Sequence, residues 1–478
     1  MTNANTKDAK DTKINLLNAS AAQRLLHFEK PFFVPFVFFV LSISGGVDAQ
    51  TLYEGARLIP GDATPVIERS AILVESGRIT QVGQLGQIQA PASVRRVDLS
   101  GKTVIPTLIA THVHPGFQSG ATYARDNYTV DTIINDLNRA LYFGVSVAQS
   151  QGIETGDVMY QVRADQQAGK LVPTARLMVA GRGIGSPNAG PGGAIYAGMA
   201  YEVTTEAESR QAVQELAARK VDIVKIWVDD RGGRAPKLSA PLYRAIIDEA
   251  HQHGLKINAH VFYHADAVDL VDAGIDGFAH LVRDTVMDDA LVAAIVKRGV
   301  YVMGNLSSPR KSTYASLPQW LSPADPMTQL LAESMTAPAL DRLRSYFSKR
   351  DATAVEGARR RYVILEQSLA KLNRAGARLI LGADTGLEDH LFGMAEQLEL
   401  EAMVDAGMTP AQGIVAATSR SAEYLGLKSK GTLRPGFDAD FIVLDANPLD
   451  AITNTRRIAR VVLSGIEIDR AALRAKIQ

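Results

Sequence analysis

Short apolar segments separated by turn residues follow the first fifty residues of the chain. Residues 71–82 contain two runs rich in β-branched side chains around a Ser-Gly turn, which predicts a β-hairpin. The same texture returns at 440–444 and 461–468. We therefore expect one small β-sandwich domain assembled from both ends of the chain, residues 51–105 together with residues 431–478.

Between these ends, apolar strands alternate with amphipathic stretches such as 204–220 and 240–254. This alternation implies a parallel sheet, so we expect an α/β fold, a (β/α)8 TIM barrel over residues 106–430. A doubly wound open sheet is the alternative, but it would need a Gly-rich fingerprint after its first strand. The eight candidate strands end near His114, Gln149, Ala180, Trp227, Val261, Leu281, Asn305 and Asp384.

The segment 1–49 differs from the rest. A polar stretch leads into the apolar run 31–44, which is shorter than the roughly 20 residues that span a membrane, and small residues follow it up to Ala49. We interpret 1–49 as an export signal cleaved near Ala49, so the mature chain would be periplasmic or extracellular, without a stable membrane span. An uncleaved N-terminal membrane anchor is the alternative.

Composition narrows the possible partners. The 51 basic and 51 acidic residues cancel, and no basic run is interleaved with aromatic residues, so nucleic acid is excluded as a partner. We expect a small-molecule substrate, and a homo-oligomer is possible. The absence of cysteine means that any metal must be held by nitrogen and oxygen atoms.

Two histidines end the first predicted strand of the barrel. Because side chains along a strand alternate between its faces, His112 and His114 point the same way and can reach one metal ion. Other predicted strands also end in polar residues, and the carboxyl ends of barrel strands form the catalytic face. These residues are Lys225, His260, His280 and Asp384.

This set, together with the closing segments 431–436 and 438–440, resembles the amidohydrolase superfamily and its carboxylated-lysine, binuclear-metal branch of prolidase-like dipeptidases and amidases. The resemblance implies that His112, His114 and Asp384 bind one metal ion. It also implies that His260 and His280 bind a second. Lys225 would be an N6-carboxylysine that bridges both ions.

Physical chemistry supports these roles. An ammonium group beside two divalent cations is electrostatically unfavourable, and burial favours the neutral amine, which can add carbon dioxide to become an anionic oxygen ligand. Imidazole and carboxylate donors suit Zn²⁺ best, with Mn²⁺, Fe²⁺ or Co²⁺ as substitutes. Two such ions lower the pKa of a shared water and polarise a substrate carbonyl. Asp384 is the predicted catalytic proton acceptor.

We therefore predict a hydrolase that cleaves a C–N bond, amide or peptide-like, of a small substrate. Carbamate, urea or lactone hydrolysis is the nearest alternative, and a non-catalytic barrel that serves as a binding module is a more distant one. No Glu stands two residues after His260, which argues against the deaminases of the superfamily. Together with Lys225, this also argues against the single-metal imidazolonepropionase branch.

Some positions depart from the superfamily pattern or extend it. Ala110 stands where relatives carry an aspartate, which removes a hydrogen-bond acceptor behind the ligands. The Gly-rich loop 181–193 and the insertion 307–354 are expected to shape the substrate pocket, the insertion as a lid. The candidate substrate-binding residues are Tyr263, Arg283, His390 and Arg182.

Overall fold

The computed structural model describes residues 50–171 and 173–477. The predicted export signal, including its cleavage site near Ala49, lies outside these residues. Within the described ranges, no helix combines the length and the apolar character needed to cross a membrane.

Strands and helices alternate along most of the described chain. The strands are β1 (Thr51–Glu54), β2 (Arg57–Leu58), β3 (Ser70–Glu75), β4 (Arg78–Gln84), β5 (Arg95–Asp98), β6 (Thr103–Pro106), β7 (Leu108–Val113), β8 (Gln118–Ser119), β9 (Thr122–Tyr123), β10 (Val145–Ser150), β11 (Arg176–Met178), β12 (Ile184–Gly185), β13 (Tyr201–Glu202), β14 (Ile223–Val228), β15 (Lys256–Val261), β16 (Gly277–Phe278), β17 (Tyr301–Met303), β18 (Arg378–Ile380), β19 (Phe441–Leu444), β20 (Ile458–Leu463) and β21 (Ile466–Glu467). The helices are α1 (Val130–Tyr142), α2 (Val158–Gln167), α3 (Glu206–Ala218), α4 (Ala240–Gln252), α5 (His264–Ala273), α6 (Asp289–Arg298), α7 (Ser307–Arg310), α8 (Pro326–Ser334), α9 (Ala337–Ser348), α10 (Ala352–Arg374), α11 (Met394–Asp405), α12 (Pro410–Ala417), α13 (Ser419–Tyr424) and α14 (Arg470–Arg474).

The central strands are parallel and carry the predicted chemistry at their carboxyl ends. They pair in the orders β11-β10-β7 and β13-β12-β14-β15-β16-β17-β18. All the strands predicted to end in functional residues are present, and helices α3 and α4 lie within the predicted helical stretches. The fold is therefore α/β, as the sequence predicts.

Backbone hydrogen bonds join the first predicted barrel strand to the segment after the last. The Thr111 amide donates to the Leu381 carbonyl at 2.9 Å, and the Thr385 amide donates to the His112 carbonyl at 3.2 Å. The His114 amide donates in turn to the Thr385 carbonyl at 2.6 Å. These hydrogen bonds hold the end of β7 beside residues 381–385, although the two segments are far apart in the sequence.

Two further sheets contain the short strands of both ends of the described chain. One has the order β4-β3-β1-β5, and the other, β2-β6-β19-β20-β21, pairs strands from opposite ends. Phe441 lies opposite Pro106 in this second sheet and packs edge-on against Tyr53, with ring centroids 5.1 Å apart. Apolar side chains from the two ends thus share one buried cluster.

The insertion 307–354 is more helical than its Pro-rich and Ser-rich composition suggests. It contains α7, α8 and α9 and leads directly into α10. Asp325, which caps the start of α8, pairs with the buried guanidinium of Arg456 at 3.3 Å. This ion pair ties the insertion to a segment near the end of the described chain.

Gly386 allows a close approach between the loop after β18 and the end of β7. Its φ is +93°, and a Cβ atom there would lie 2.1 Å from the carbonyl oxygen of His114. Gly376 also has a positive φ, +76°, but a Cβ atom would meet no atom within 4 Å. We expect Gly386→Ala to lower the free energy of unfolding by about 3 kcal/mol and Gly376→Ala by about 1 kcal/mol.

Urea unfolding followed by tryptophan fluorescence measures both variants. Equal losses of stability would contradict the close packing of the two segments.

Candidate metal centre

His112 and His114 lie on the same face of β7, as the strand period requires. Both are buried, and their Nε2 atoms are 3.1 Å apart. The imidazole rings meet edge-on, with centroids 5.0 Å apart. Two nitrogen atoms that can serve as ligands therefore point at one location.

Asp384 completes this location from the segment after β18. Its φ of 57° is in the left-handed region, and its Oδ1 atom lies 3.1 Å from Nε2 of His114 and 3.2 Å from Nε2 of His112. Burial alone would raise the pKa of the Asp384 carboxyl, but the two histidines hold this pKa well below its usual range. The carboxylate is therefore anionic at neutral pH.

His112 is a neutral imidazole with oxygen atoms near both ring nitrogens. Burial, reinforced by the charge of Lys225, lowers the His112 pKa to about 3, so the ring is neutral at pH 7. Its Nδ1 atom lies 3.2 Å from the Ala279 carbonyl and its Nε2 atom lies 3.2 Å from Oδ1 of Asp384, so each ring nitrogen has an oxygen acceptor within reach. In His114, Nδ1 is buried without a hydrogen-bond partner among the described residues.

Two more histidines belong to this group of side chains: His260 lies on β15, and His280 follows β16. Ligand atoms of His112, His280 and Asp384 all lie within 4.8 Å of one another, close enough to hold one metal ion. The rings of His260 and His280 are 4.6 Å apart, and burial lowers the His260 pKa to about 4. The donor set consists of neutral imidazoles and a carboxylate, which fits a divalent cation such as Zn²⁺.

Lys225 lies in the middle of β14 and is 1% exposed. Burial lowers the pKa of its amine to about 7, against the opposing charges of Asp384 and Glu154. Its Nζ atom is 5.7 Å from the ring centroid of Trp227. A large fraction of this amine is therefore uncharged at neutral pH.

Asp229 and Asn305 belong to the site, although neither is among the site residues chosen from the sequence. Oδ2 of Asp229 lies 3.0 Å from Nε2 of His260, and Nδ2 of Asn305 lies 2.9 Å from Nδ1 of His112. Asp229 stands four residues after Lys225, so strand periodicity indicates a shared face. For Asn305, the signal in the sequence is its position at the end of a predicted strand.

Two of the predicted substrate-binding residues lie beside the centre. Nη2 of Arg283 is 3.1 Å from Nδ1 of His280, which places the guanidinium next to a predicted ligand. The Tyr263 hydroxyl donates to Oδ1 of Asp230 at 2.8 Å. Asp230 adjoins Asp229, so this tyrosine stands at the edge of the site.

The other two predicted substrate-binding residues make structural contacts. His390 is fully buried, and its Nε2 atom lies 2.9 Å from the carbonyl of Ala383, the residue before Asp384. Arg182 donates from Nη2 to the Ala200 carbonyl at 2.8 Å and lies over the Tyr201 ring. His390 supports the backbone behind Asp384, and Arg182 holds the segment near Ala200.

Phe117, Tyr123 and Tyr196 form an aromatic wall, which the sequence pattern does not predict. Phe117 packs against Tyr196, with centroids 5.3 Å apart, and the hydroxyls of Tyr123 and Tyr196 are in contact. Burial and the charge of Asp384 both raise the pKa of Tyr196, to about 12. The two tyrosines therefore lie near the carboxylate as neutral hydroxyl groups.

Comparison with known proteins identifies the family of this chain. The profile of the amidohydrolase family matches residues 103–467. The chain therefore belongs to the amidohydrolase family, whose members are hydrolases that act on carbon–nitrogen bonds.

Its relatives are distant. An imidazolonepropionase of Cereibacter sphaeroides is 25% identical, over 85% of this chain and 94% of its own. Uncharacterized proteins of Mycobacterium bovis and Mycobacterium tuberculosis are 27% identical over 43% of this chain, which spans about half (51%) of their length. The solved structure of a Xaa-Pro dipeptidase with methionine bound in its active site shares the fold, with a TM-score of 0.70, 20% identity, and coverage of 88% of this chain and 100% of that one.

Glu154 is a buried acid close to this centre. It is 2% exposed, Oε1 accepts from the Ala180 amide at 3.3 Å, and Oε2 has no partner within the described part of the chain. Burial raises the Glu154 pKa from 4.5 to about 7. The folded protein thus holds this proton more tightly than the unfolded chain, so stability falls as the pH rises between these two values.

We expect Glu154→Gln to remove this dependence. The free energy of unfolding of the variant should gain about 2–3 kcal/mol relative to the wild type between pH 4.5 and pH 7.5. Urea titrations at several pH values measure this gain, with Glu206→Gln, an exposed position, as the control. A pH slope in Glu154→Gln as steep as that of the wild type would contradict the assignment.

Proposed function

We propose that this protein is a binuclear-metal hydrolase that cleaves an amide or peptide-like C–N bond of a small molecule. The convergence of His112, His114 and Asp384 on one buried location, next to a buried lysine, is the observation that carries the proposal. The likeness to a solved Xaa-Pro dipeptidase supports an amide substrate.

The proposed fold is a closed barrel that aims these residues at one face. The bonds between the β7 segment and the Leu381–Thr385 segment support closure on one side. The bond from the Asp222 amide to the Val179 carbonyl, at 2.7 Å, supports continuity between the two parallel sheets. The domains 106–430 and 51–105 plus 431–478 are proposed on the same basis, as are export of the chain and cleavage near Ala49.

The residues of the centre would divide between two ions. His112, His114 and Asp384 would hold one divalent ion, most favourably Zn²⁺, and His260 and His280 the other. Lys225, as its carbamate, would contribute an oxygen atom to each. Bound ions in such a site lower the pKa of a water ligand and polarise a substrate carbonyl.

Asp384 performs the proton transfers in the proposed reaction. Its carboxylate accepts a proton from the water whose oxygen bonds to the carbonyl carbon, and it then gives that proton to the departing nitrogen as the C–N bond breaks. The His112 and His114 contacts and the left-handed backbone hold the carboxylate in place for both steps. The side chain is 15% exposed, so it reaches the substrate side of the centre.

Lys225 favours a two-metal mechanism over the single-metal mechanism of the imidazolonepropionase branch, because that branch lacks a bridging lysine. Carbamate, urea and lactone hydrolysis use the same proton transfers and remain alternatives for the substrate screen. A barrel without catalytic activity would need no buried lysine between histidine ligands, so it is the weakest alternative.

We expect Asp384→Asn to reduce turnover by about 10³-fold or more, because the amide cannot accept a proton. The zinc-loaded protein is screened against dipeptides, N-acyl amino acids, carbamates and lactones, and the best substrate is used for the variant. Asp341→Asn, at an exposed position on α9, is the matched control. Full activity in the metal-free wild type would refute the mechanism.

We expect Lys225→Ala to lower the bound metal from about two ions to about one per chain, because the variant loses the oxygen ligand that bridges both. Inductively coupled plasma mass spectrometry measures the ratio. In the wild type, ¹³C NMR after growth with labelled bicarbonate should detect a carbamate carbon that is absent from the variant. Two ions retained in Lys225→Ala would contradict the bridging role.

A further inference from the structure

A cavity of about 410 Å³ lies where the insertion 307–354 meets the loop after β18. Lys311, Arg342 and Tyr346 line it from the insertion, and Glu388 and Asp389 line it from the loop. Gly386 of the same loop packs against the His114 carbonyl, so one loop contacts both the cavity and the centre. Its volume is in the range of small-molecule sites.

Lys311 presents a positive charge to this cavity. It follows α7 directly and is partly buried, and its Nζ atom donates to the backbone carbonyl of Glu388 at 3.0 Å. No described carboxylate lies within 4.0 Å of Nζ. A lysine with a purely structural role in such a position would be expected to pair with an acid, and this ammonium keeps unused donors.

Arg342 places a second cation at the same cavity. Its Nη atoms contact the Ala121 carbonyl and the Asp389 carboxylate. Its Nε atom is buried and has no hydrogen-bond partner in the described part of the chain. Arg342 pairs with Asp389, and the exposed Glu388 also lines the cavity, so Lys311 is the cation of the cavity that has no carboxylate in contact among the described residues.

Lys311 is also near the reacting groups. Burial lowers its pKa to about 8, and the charges of Asp389, Glu388 and Asp384 oppose that change. The bond from Nζ to the Glu388 carbonyl attaches this ammonium to the loop whose Gly386 packs against His114. Arg182, by contrast, uses its donors on backbone carbonyls.

We propose that Lys311, assisted by Arg342, binds a carboxylate of the substrate and so makes the insertion a specificity element. This inference rests on the proposed function only in taking Asp384 as the place of reaction. An incoming carboxylate would accept the unused Nζ donors of Lys311. Such charge-assisted hydrogen bonds in a partly desolvated site distinguish an acid from its neutral amide by about 10- to 100-fold.

Calorimetric titration of the zinc-loaded protein at pH 7 tests the assignment. The probes are N-acetyl-leucine, N-acetyl-phenylalanine and N-acetyl-proline, each paired with its C-terminal amide. We expect at least one acid to bind about tenfold or more tightly than its amide. Lys311→Met should bring that ratio close to one, Lys311→Arg should retain much of it, and Lys349→Met, exposed in the same insertion, should leave it unchanged.

Lys311→Gln is the second charge-removing variant if Lys311→Met fails to fold. An acid preference that survives removal of the Lys311 charge would overturn the assignment, and so would a wild type that binds no acid more tightly than its amide. For any probe that the wild type hydrolyses, binding is measured in the Asp384→Asn background, in which turnover is expected to be lost. If the protein prefers acids through Lys311 but hydrolyses no probe, this assignment stands and the proposed function is wrong. If it hydrolyses a probe but shows no preference for acids, the proposed function stands and this assignment is wrong.

Discussion

Two imidazoles and a carboxylate converge in a space from which water is largely excluded. Nε2 of His112, Nε2 of His114 and Oδ1 of Asp384 lie within 3.2 Å of one another. Buried polar groups are costly unless they are paired, and only part of this cluster can be paired internally, because each neutral imidazole carries a single N–H. A bound cation would pair with a lone pair of each group, and the strand-to-strand bonds and the left-handed backbone of Asp384 hold the three groups together.

Lys225 poses the same problem with the opposite sign. A buried ammonium beside a metal cation would be repelled, and its burial has already moved its pKa toward neutrality. Conversion to a carbamate removes the positive charge and adds anionic oxygen atoms where cations need them. In the proposed centre, the buried amine and the cluster of imidazoles and carboxylate are therefore complementary.

The strand period made the convergence of these side chains predictable. Alternation places His112 and His114 on one face, and the carboxyl ends of parallel strands bring His260, His280 and Asp384 toward them. Asn305 and the contact between Tyr123 and Tyr196 could not be predicted in this way, because long-range packing determines which loop residues meet. The same long-range packing determines the contacts of His390 and Arg182, and both side chains hydrogen-bond to backbone carbonyls.

Ala110 shows how a backbone group can take the place of a missing side-chain acceptor. Superfamily relatives carry an aspartate there as a possible acceptor behind the ligands, and in this chain the carbonyl of Ala279 serves Nδ1 of His112. A backbone acceptor leaves no trace in the residue pattern, so only the fold reveals it. The ligand orientation is thus preserved although the side chain that would provide it is absent.

Recognition depends on different parts of the chain from those that carry the chemistry. The ligands lie on or directly after buried strands, whereas the aromatic wall and Lys311 lie on segments that connect them. The insertion that carries Lys311 is nevertheless not a loose loop, because the buried Arg456 pairs with Asp325 before α8 and with Glu401 on α11. A cation positioned by such anchors loses little conformational entropy when it binds an anion, so rigid attachment of the insertion favours selectivity at the mouth of the site.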